Sequence, residues 1–322
     1  MPTTTVAPDA PFFIALNAGS GHSETDERRS TIETVLRAAG RHFELTMIDE
    51  PGTIDEIAAR LAKQAADSCG VLVAAGGDGT INAVARQAVA HGCQFGVLPQ
   101  GTFNYFGRTH GIPEDLSEAV HALLAARVHP VQVGVINDRV FLVNASIGLY
   151  PKMLEEREAD KKQFGRSRLV AALSALKTLL SPHQRLRLVL QIDGKPQRLR
   201  TATFFVGNNR LQMEQIGIPP LSDALEDGRL AAVAPRTKGK LGMLWLMLHG
   251  ALGRMGRLSQ ADELTTFSFK QMQVKVRTLS RRRQIKVATD GEITMMDNPL
   301  KIHVMDEQLL LLKPEPKLAA RQ

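Results

Sequence analysis

A run of glycines around one aspartate is the pattern in this chain best suited to binding phosphate. The run consists of Gly76, Gly77, Asp78, Gly79, Thr80, Ile81 and Asn82. The small apolar residues 71–75 before it predict a buried strand, and the apolar spacing over 81–89 predicts a helix after it. Glycines let the main chain approach a ligand, and the first N–H groups of a helix lack intrahelical partners. The alternative is a tight turn without a ligand.

Two further polar loops follow predicted strands. The strand over 12–16 leads into Asn17, Ala18, Gly19 and Ser20, and the strand over 94–98 leads into a loop with Gly101, Thr102 and Asn104. No Lys-Ser/Thr pair follows the glycines, which excludes a P-loop. Because the carboxyl ends of parallel strands share one edge of a sheet, we expect all three loops to meet there.

Carboxylates near the end of the chain are candidates for proton transfer. Asp290 and Glu292 follow the alternating residues 285–287, and a carboxylate at such a position could accept the proton of an attacking hydroxyl. An ordinary Asp-Gly hairpin turn is the alternative for this pair. Asp227 is either a turn residue or a ligand of a hard cation assisted by backbone carbonyls.

The elements that must position these residues change character along the chain. Strands and helices alternate four times in the first 127 residues, which is typical of a parallel sheet covered by helices. After Pro130, alternating patterns over 186–192 and 199–205 predict hairpins. The predicted fold class is therefore α/β plus mainly β, with an α/β domain over 1–131 and an antiparallel β-sandwich over 132–305.

Composition restricts the partners. The net charge of +7 favours an anionic partner, while an aromatic content of 5% disfavours a single-strand nucleic-acid binder. The two cysteines fit no metal-binding pattern, and neither a signal peptide nor an apolar run of membrane-spanning length is recognised. The charged segment 150–168 is expected to be a solvated loop. The apolar stripe over 241–252 fits either a core-packing helix or contact with an anionic membrane.

Four motifs together resemble a known family. They are Asn17-Ala18-Gly19-Ser20-Gly21, the run 76–82, Leu98-Pro99-Gln100-Gly101-Thr102-Phe103-Asn104, and Asp290-Gly291-Glu292. In this order they resemble soluble bacterial lipid kinases with a diacylglycerol-kinase catalytic domain, which are related to sphingosine and ceramide kinases. Three places differ: Tyr105 and Ala83 stand where the family commonly has Asp and Glu, and residues 208–212 replace the glycine cluster usual in its second domain.

The resemblance implies transfer of the γ-phosphate of ATP to the hydroxyl of diacylglycerol or a related lipid. ATP would contact residues 77–82 and Thr102, and Asp290 would act as the general base. A structural Mg²⁺ would bind Asp227 with backbone help from Ala224 and Arg229. Residues 306–322 would return to the first, nucleotide-binding domain, and the sandwich would hold the lipid.

The alternatives are a NAD kinase, which shares the Gly-Gly-Asp-Gly-Thr run, and a catalytically silent nucleotide- or lipid-binding protein. We expect a cytoplasmic protein in peripheral contact with a membrane, without a nucleic-acid partner. The sequence is compatible with several lipids as substrate and with a homodimer.

Overall fold

The structure, a computed structural model, describes residues 4–7, 9–19, 22–152, 154–155, 186–192, 194–215, 219–235, 264–277 and 283–315. The chain divides into two compact units, Met1–Val133 with Asp306–Gln322, and Gly134–Met305. Ser20, most of 150–168 and all of 241–252 lie outside the described residues. Among the described helices, none has the length and apolar character needed to cross a bilayer.

A seven-stranded sheet forms the centre of the first unit. Its strands, numbered in chain order, are β1 Thr4–Thr5, β2 Phe12–Asn17, β3 Phe43–Ile48, β4 Val71–Gly76, β5 Gln94–Pro99, β6 Arg127–Val131 and β19 Leu309–Lys313. The order across the sheet is β1-β6-β19-β5-β4-β2-β3. Strands β19, β5, β4, β2 and β3 run parallel, and β6 and β1 are antiparallel to their neighbours. The apolar run of β4 is buried along its whole length because the strand lies inside this sheet.

Helices follow the parallel strands of the first unit. They are α1 His22–Ala38, α2 Ile54–Asp67, α3 Asp78–His91, α4 Tyr105–Thr109 and α5 Leu116–Leu124. Helix α2 buries Ala58, Leu61, Ala62 and Ala65, the apolar stripe expected of a helix that covers a sheet. Gly92 caps the C-terminal end of helix α3, and its φ of +65° is the left-handed conformation that glycine adopts without strain.

The second unit consists of two antiparallel sheets. Its strands are β7 Gly134–Ile136, β8 Arg139–Phe141, β9 Asn144–Gly148, β10 Leu186–Ile192, β11 Lys195–Thr201, β12 Thr203–Gly207, β13 Leu230–Pro235, β14 Leu264–Phe269, β15 Gln271–Arg277, β16 Gln284–Thr289, β17 Glu292–Asp297 and β18 Leu300–Val304. One sheet has the order β11-β10-β15-β18-β7-β8, and the other β14-β13-β12-β9-β16-β17. Helices α6 Arg210–Gln215 and α7 Pro219–Glu226 belong to the same unit.

Both sheets of the second unit contribute to one apolar core. Leu188 and Leu190 of β10 pack in the same cluster as Phe204 and Val206 of β12. The alternation of apolar and polar residues therefore sends one face of each sheet inward. A parallel α/β unit together with two antiparallel sheets confirms the predicted fold class.

Candidate functional site

Two of the glycine-containing loops touch through their backbones in the first unit. The N–H of Gln100 donates to the carbonyl oxygen of Gly76 at 2.8 Å. A Cβ added to Gly101 would lie 2.9 Å from the Cα of Gly77, which is closer than real Cβ atoms approach. Glycine at these positions therefore lets the loops after β4 and β5 lie side by side.

Side chains join the third loop to the same place. The Nδ2 of Asn17 donates to the Oγ1 of Thr80 at 2.7 Å, and its Oδ1 accepts from the N–H of Gly19 at 3.0 Å. The Oδ1 of Asn104 accepts from the N–H of Gly101 at 2.8 Å, and Asn104 has a left-handed φ of +48°. The described residues of all three predicted loops therefore belong to one cluster at the carboxyl edge of the sheet.

Asp78 connects the start of α3 to the start of α4. Its Oδ1 accepts from the N–H of Phe106 at 3.4 Å, and its carboxylate also interacts with the N–H groups of Asn104 and Tyr105. Burial raises the pKa of Asp78, and these hydrogen bonds oppose the rise. The pKa of Tyr105 is raised by burial and then by the charge of Asp78. Ala83 is buried inside α3.

The first turn of α3 has the features of an anion site. Gly77 is the N-cap residue, so no side chain caps the turn, and the ladder begins where Ile81 donates to the carbonyl of Gly77. The N–H groups before Ile81, those of Asp78, Gly79 and Thr80, precede that ladder and carry the positive end of the helix dipole. Asn82 follows on the same helix and is buried. This end of the helix can therefore accept a phosphate.

A cavity of about 290 Å³ adjoins this cluster. Its lining includes Arg28, Gln100, Gly101, Thr102 and Asn104. Both side-chain atoms of the Gln100 amide, Oε1 and Nε2, are buried without a hydrogen-bond partner. Arg28 reaches the cavity from α1 and pairs with Glu24 at 2.6 Å. The sequence patterns did not select Gln100 or Arg28 as site residues, since an arginine on a charged helix has no distinctive spacing.

In the second unit, Asp290 occupies the turn between β16 and β17. Asp290 and Gly291 have φ values of +47° and +89°, and Thr289 pairs with Glu292 across the turn. Positive φ at both central residues is the geometry of a type I′ hairpin, which explains the Asp-Gly sequence. The turn presents the Asp290 carboxylate to successive backbone N–H groups: Oδ2 accepts from Leu142 at 2.7 Å, and Oδ1 from Val143 at 2.9 Å and Asn144 at 2.7 Å.

Other polar groups lie near this turn. Glu292 forms an ion pair with Arg139. The Oδ1 of Asn144 and the Oγ of Ser146 are buried without a hydrogen-bond partner, although the Nδ2 of Asn144 donates to Gln212 at 3.2 Å. Buried oxygens of this kind are unusual and often mark a place where a ligand or water completes the bonding. Sequence reasoning missed Asn144 and Ser146, because isolated polar residues on a strand carry no motif.

Asp227 closes the C-terminal end of α7. Gly228 has a φ of +69°, its N–H bonds to Leu225, and the N–H of Arg229 bonds to the carbonyl of Ala224 at 3.1 Å. These two bonds form a Schellman cap. The helix end therefore explains the turn at Asp227 without a metal ion. An exposed carboxylate and two carbonyl oxygens are also the kinds of ligand that a hard cation prefers. Within the described residues, no group of three or more His, Cys, Asp or Glu side chains could hold a metal.

Comparison with known proteins agrees with this geometry. Residues 11–136 match the family model described as the diacylglycerol kinase catalytic domain. This region of the chain is therefore similar to the diacylglycerol kinase catalytic domain. The matched residues include the three loops that the structure brings together, so the resemblance inferred from the motifs is confirmed.

Relatives extend the similarity to nearly the whole chain. The protein named "Putative lipid kinase SAR0780" from Staphylococcus aureus strain MRSA252 is 26% identical over 304 residues, covering 91% of this chain and 93% of the relative. A relative from strain JH9 matches with the same identity and coverage. A crystal structure described as a diacylglycerol kinase from Bacillus anthracis str. Sterne has a TM-score of 0.69 at 18% identity, covering 95% of this chain and 98% of that one. This structural match shows that the two chains share a fold.

Proposed function

We propose that the protein is an ATP-dependent lipid kinase that transfers the γ-phosphate of ATP to a lipid hydroxyl, with diacylglycerol or a related lipid as acceptor. The observation that carries the proposal is the joining of three polar loops around the uncapped first turn of α3. A cradle made of main-chain N–H groups and small side chains suits a polyphosphate. The lipid-kinase names of the relatives support the choice of acceptor.

In this proposal, residues of the first unit bind and orient the nucleotide. Backbone groups of 76–82 and 101–102 would hold the phosphates. The side chains of Asn17, Thr80 and Asn104 would hold the loops together through the hydrogen bonds described above. Gly19 and Ser20 belong to the same loop as Asn17. Arg28 and the unpartnered amide of Gln100 are further candidates for contact with the nucleotide. Fixed donors of this kind stabilise the charge that spreads over a phosphoryl group in transit.

Residues of the second unit would act on the acceptor. The acceptor oxygen bonds to the γ-phosphorus as the bond from that phosphorus to the leaving oxygen of ADP breaks, and the hydroxyl proton passes to the Asp290 carboxylate. Three backbone hydrogen bonds fix the position of this carboxylate. Glu292 would hold Arg139 beside the turn. Asn144 and Ser146 offer oxygens that the acceptor could satisfy.

Magnesium has two proposed roles. Bound with ATP, Mg²⁺ would neutralise charge on the phosphates. A structural Mg²⁺ would be held by the carboxylate of Asp227 and the carbonyl oxygens of Ala224 and Arg229, where it would rigidify the end of α7. The donor types fit this second role.

Transfer of label from γ-³²P-ATP tests the proposal. The protein is incubated with Mg²⁺ and either mixed micelles that contain diacylglycerol or NAD. Label in the organic extract supports a lipid kinase. Label in NADP would instead establish a NAD kinase, and ATP binding without transfer to lipid or NAD would favour the silent alternative. Peripheral membrane contact in the cytoplasm belongs to the same proposal, since the acceptor lies in a membrane.

A further inference from the structure

One sheet of the second unit has an outer surface that is strongly basic. Leu188, Leu190, Val274 and Val276 face the core, so their neighbours on β10 and β15 face outward. We call the outward cations of four adjacent strands the basic face. Its members are Arg187, Arg198, Arg200, Lys275, Arg277 and Lys301, and all six are exposed. The strands β11, β10, β15 and β18 contain no Asp or Glu.

The arginines of the basic face stand directly beside one another. Arg187 pairs across β10 and β11 with Arg200, and across β10 and β15 with Arg277, which makes a row of three like charges. In the next row, Arg198 and Lys275 flank Val189. Like charges directly opposite each other destabilise a sheet. Among the described residues, none of the six side chains forms an ion pair, so nothing in this part of the chain offsets the repulsion.

A cavity of about 330 Å³ continues the same surface. Among the described residues, its polar lining includes Gln191, Gln273, Lys301 and His303, and none of the described lining residues is acidic. Gln191 pairs with Gln273, and Gln273 pairs with Lys301, so the cavity lies in the row after Arg198 and Lys275. Amide and ammonium donors beside a row of arginines favour anionic groups that also accept hydrogen bonds, and phosphate is such a group.

We propose that the basic face binds the phosphate head groups of an anionic membrane. Cations spread over four neighbouring strands suit an extended charged surface. The four strands contain no Phe, Tyr or Trp, which leaves no platform for stacking nucleic-acid bases. The choice of a membrane over a nucleic acid rests on the proposed lipid kinase function. Phosphates placed between the arginines would relieve their repulsion, which makes the surface complementary to a bilayer.

Vesicle sedimentation without ATP or acceptor lipid tests this surface separately from catalysis. The vesicles contain phosphatidylcholine alone or with about one-third phosphatidylglycerol. The variant Arg187→Gln/Arg277→Gln removes two charges from the basic face. The control Arg37→Gln/Lys63→Gln removes two charges from exposed helical positions of the first unit. Each cation near an anionic surface contributes a factor of about five, so the first variant should bind anionic vesicles about 30-fold more weakly. The control should bind like the parent.

Each outcome decides the proposal. Equal binding by the two double variants would overturn it, as would a parent protein that ignores anionic vesicles. Preference of the parent for duplex DNA over vesicles would assign the basic face to nucleic acid instead. The protein could bind vesicles through the basic face yet transfer no phosphate to lipid. That result would refute the lipid kinase proposal and still support membrane binding by the basic face. Circular dichroism of both variants tests whether they are folded.

Discussion

Asp290 and Asn144 are bonded to each other twice. The N–H of Asn144 donates to the Oδ1 of Asp290 at 2.7 Å, and the N–H of Asp290 donates to the carbonyl oxygen of Asn144 at 2.9 Å. The hairpin turn and the start of β9 are therefore locked together although they are far apart in sequence. The carboxylate thus has a structural role in addition to its proposed chemical one, and an experiment must separate the two.

Replacing Asp290 by Asn should affect both roles. The amide cannot accept through its nitrogen, so at least one of the N–H groups of Leu142, Val143 and Asn144 loses its acceptor. This loss costs about 1–3 kcal/mol in the free energy of unfolding. If Asp290 is the general base, turnover should fall by about 100-fold or more, because general base catalysis contributes about 10²–10⁴. ATP binding, measured by calorimetry, should persist.

Gly291→Ala is the matched control for the Asp290 variant. Gly291 has a φ of +89° and open space where a Cβ would lie, so alanine strains the backbone without a clash. The cost is about 1–2 kcal/mol, similar to that of Asp290→Asn, but the carboxylate remains. Turnover of Gly291→Ala at a temperature where it is folded should stay near that of the parent. Equal losses of turnover in both variants would mean that Asp290 acts through structure alone.

Arg28 and Arg29 offer a test of the cavity in the first unit. Arg28 lines the cavity beside Gln100 and Thr102, whereas Arg29 pairs with Glu33 on the exposed surface of the same helix. Arg28→Gln should weaken ATP binding by about 10- to 150-fold, since a charge-assisted hydrogen bond contributes about 1.5–3 kcal/mol. Arg29→Gln removes the same charge and should leave the Kd for ATP unchanged. Identical Kd values for the two variants would remove Arg28 from the proposed nucleotide site.

His110 should make the first unit sensitive to acid. Burial, and then the charge of Lys313, lower the pKa of His110 to about 3, and the ring packs edge-on against Phe106 at 4.7 Å. As the pH falls below about 6.5, the imidazole of His110 therefore gains a proton in the unfolded chain but stays neutral in the folded chain. Stability should be full above that value and fall as the pH drops toward 3, with a slope approaching about 1.4 kcal/mol per pH unit below pH 6.

Urea unfolding of the parent and of His110→Gln between pH 7 and 4.5 measures this slope. Glutamine does not titrate, so the variant should show a flatter profile, even if its stability at pH 7 is lower. Parallel profiles would show that other groups account for the acid sensitivity.

Much of the fold follows from local patterns in the sequence. The apolar run of β4, the stripe of α2 and the alternation in β10 each have one favourable placement, because their periods match a buried strand, a covering helix and a half-exposed strand. The convergence of the three polar loops was also predictable, since loops after parallel strands share an edge. The structure confirms this architecture.

The part of the site that the sequence did not predict consists of contacts between residues far apart in the chain. Nothing local links Asp290 to the N–H groups of Leu142 and Val143, because a backbone donor has no side-chain signature. Gln100 and Ser146 stand out only in the structure, where their polar side-chain atoms are buried and have no hydrogen-bond partner. The row formed by Arg187, Arg200 and Arg277 depends on strand register, which hydrophobic alternation alone does not fix between two arbitrary strands.

Ser146 provides a test of the acceptor region. Its buried hydroxyl has no hydrogen-bond partner, so Ser146→Ala should remove an unsatisfied group and raise the free energy of unfolding by about 1 kcal/mol. If the hydroxyl binds the lipid acceptor, the KM for that lipid should rise while the Kd for ATP stays constant. Thermal unfolding and lipid-dependent kinetics measure the two effects.

Thr201 supplies the contrast, because its buried hydroxyl is satisfied. The Oγ1 of Thr201 donates to the carbonyl oxygen of Thr203 at 2.7 Å or to that of Pro235 at 3.0 Å. Thr201→Val removes this donor and should lower stability by about 1–2 kcal/mol without changing the KM for lipid. If Ser146→Ala raises the free energy of unfolding and Thr201→Val lowers it, the Ser146 hydroxyl destabilises the folded protein. A stabilised Ser146→Ala enzyme with unchanged KM would then exclude Ser146 from acceptor binding.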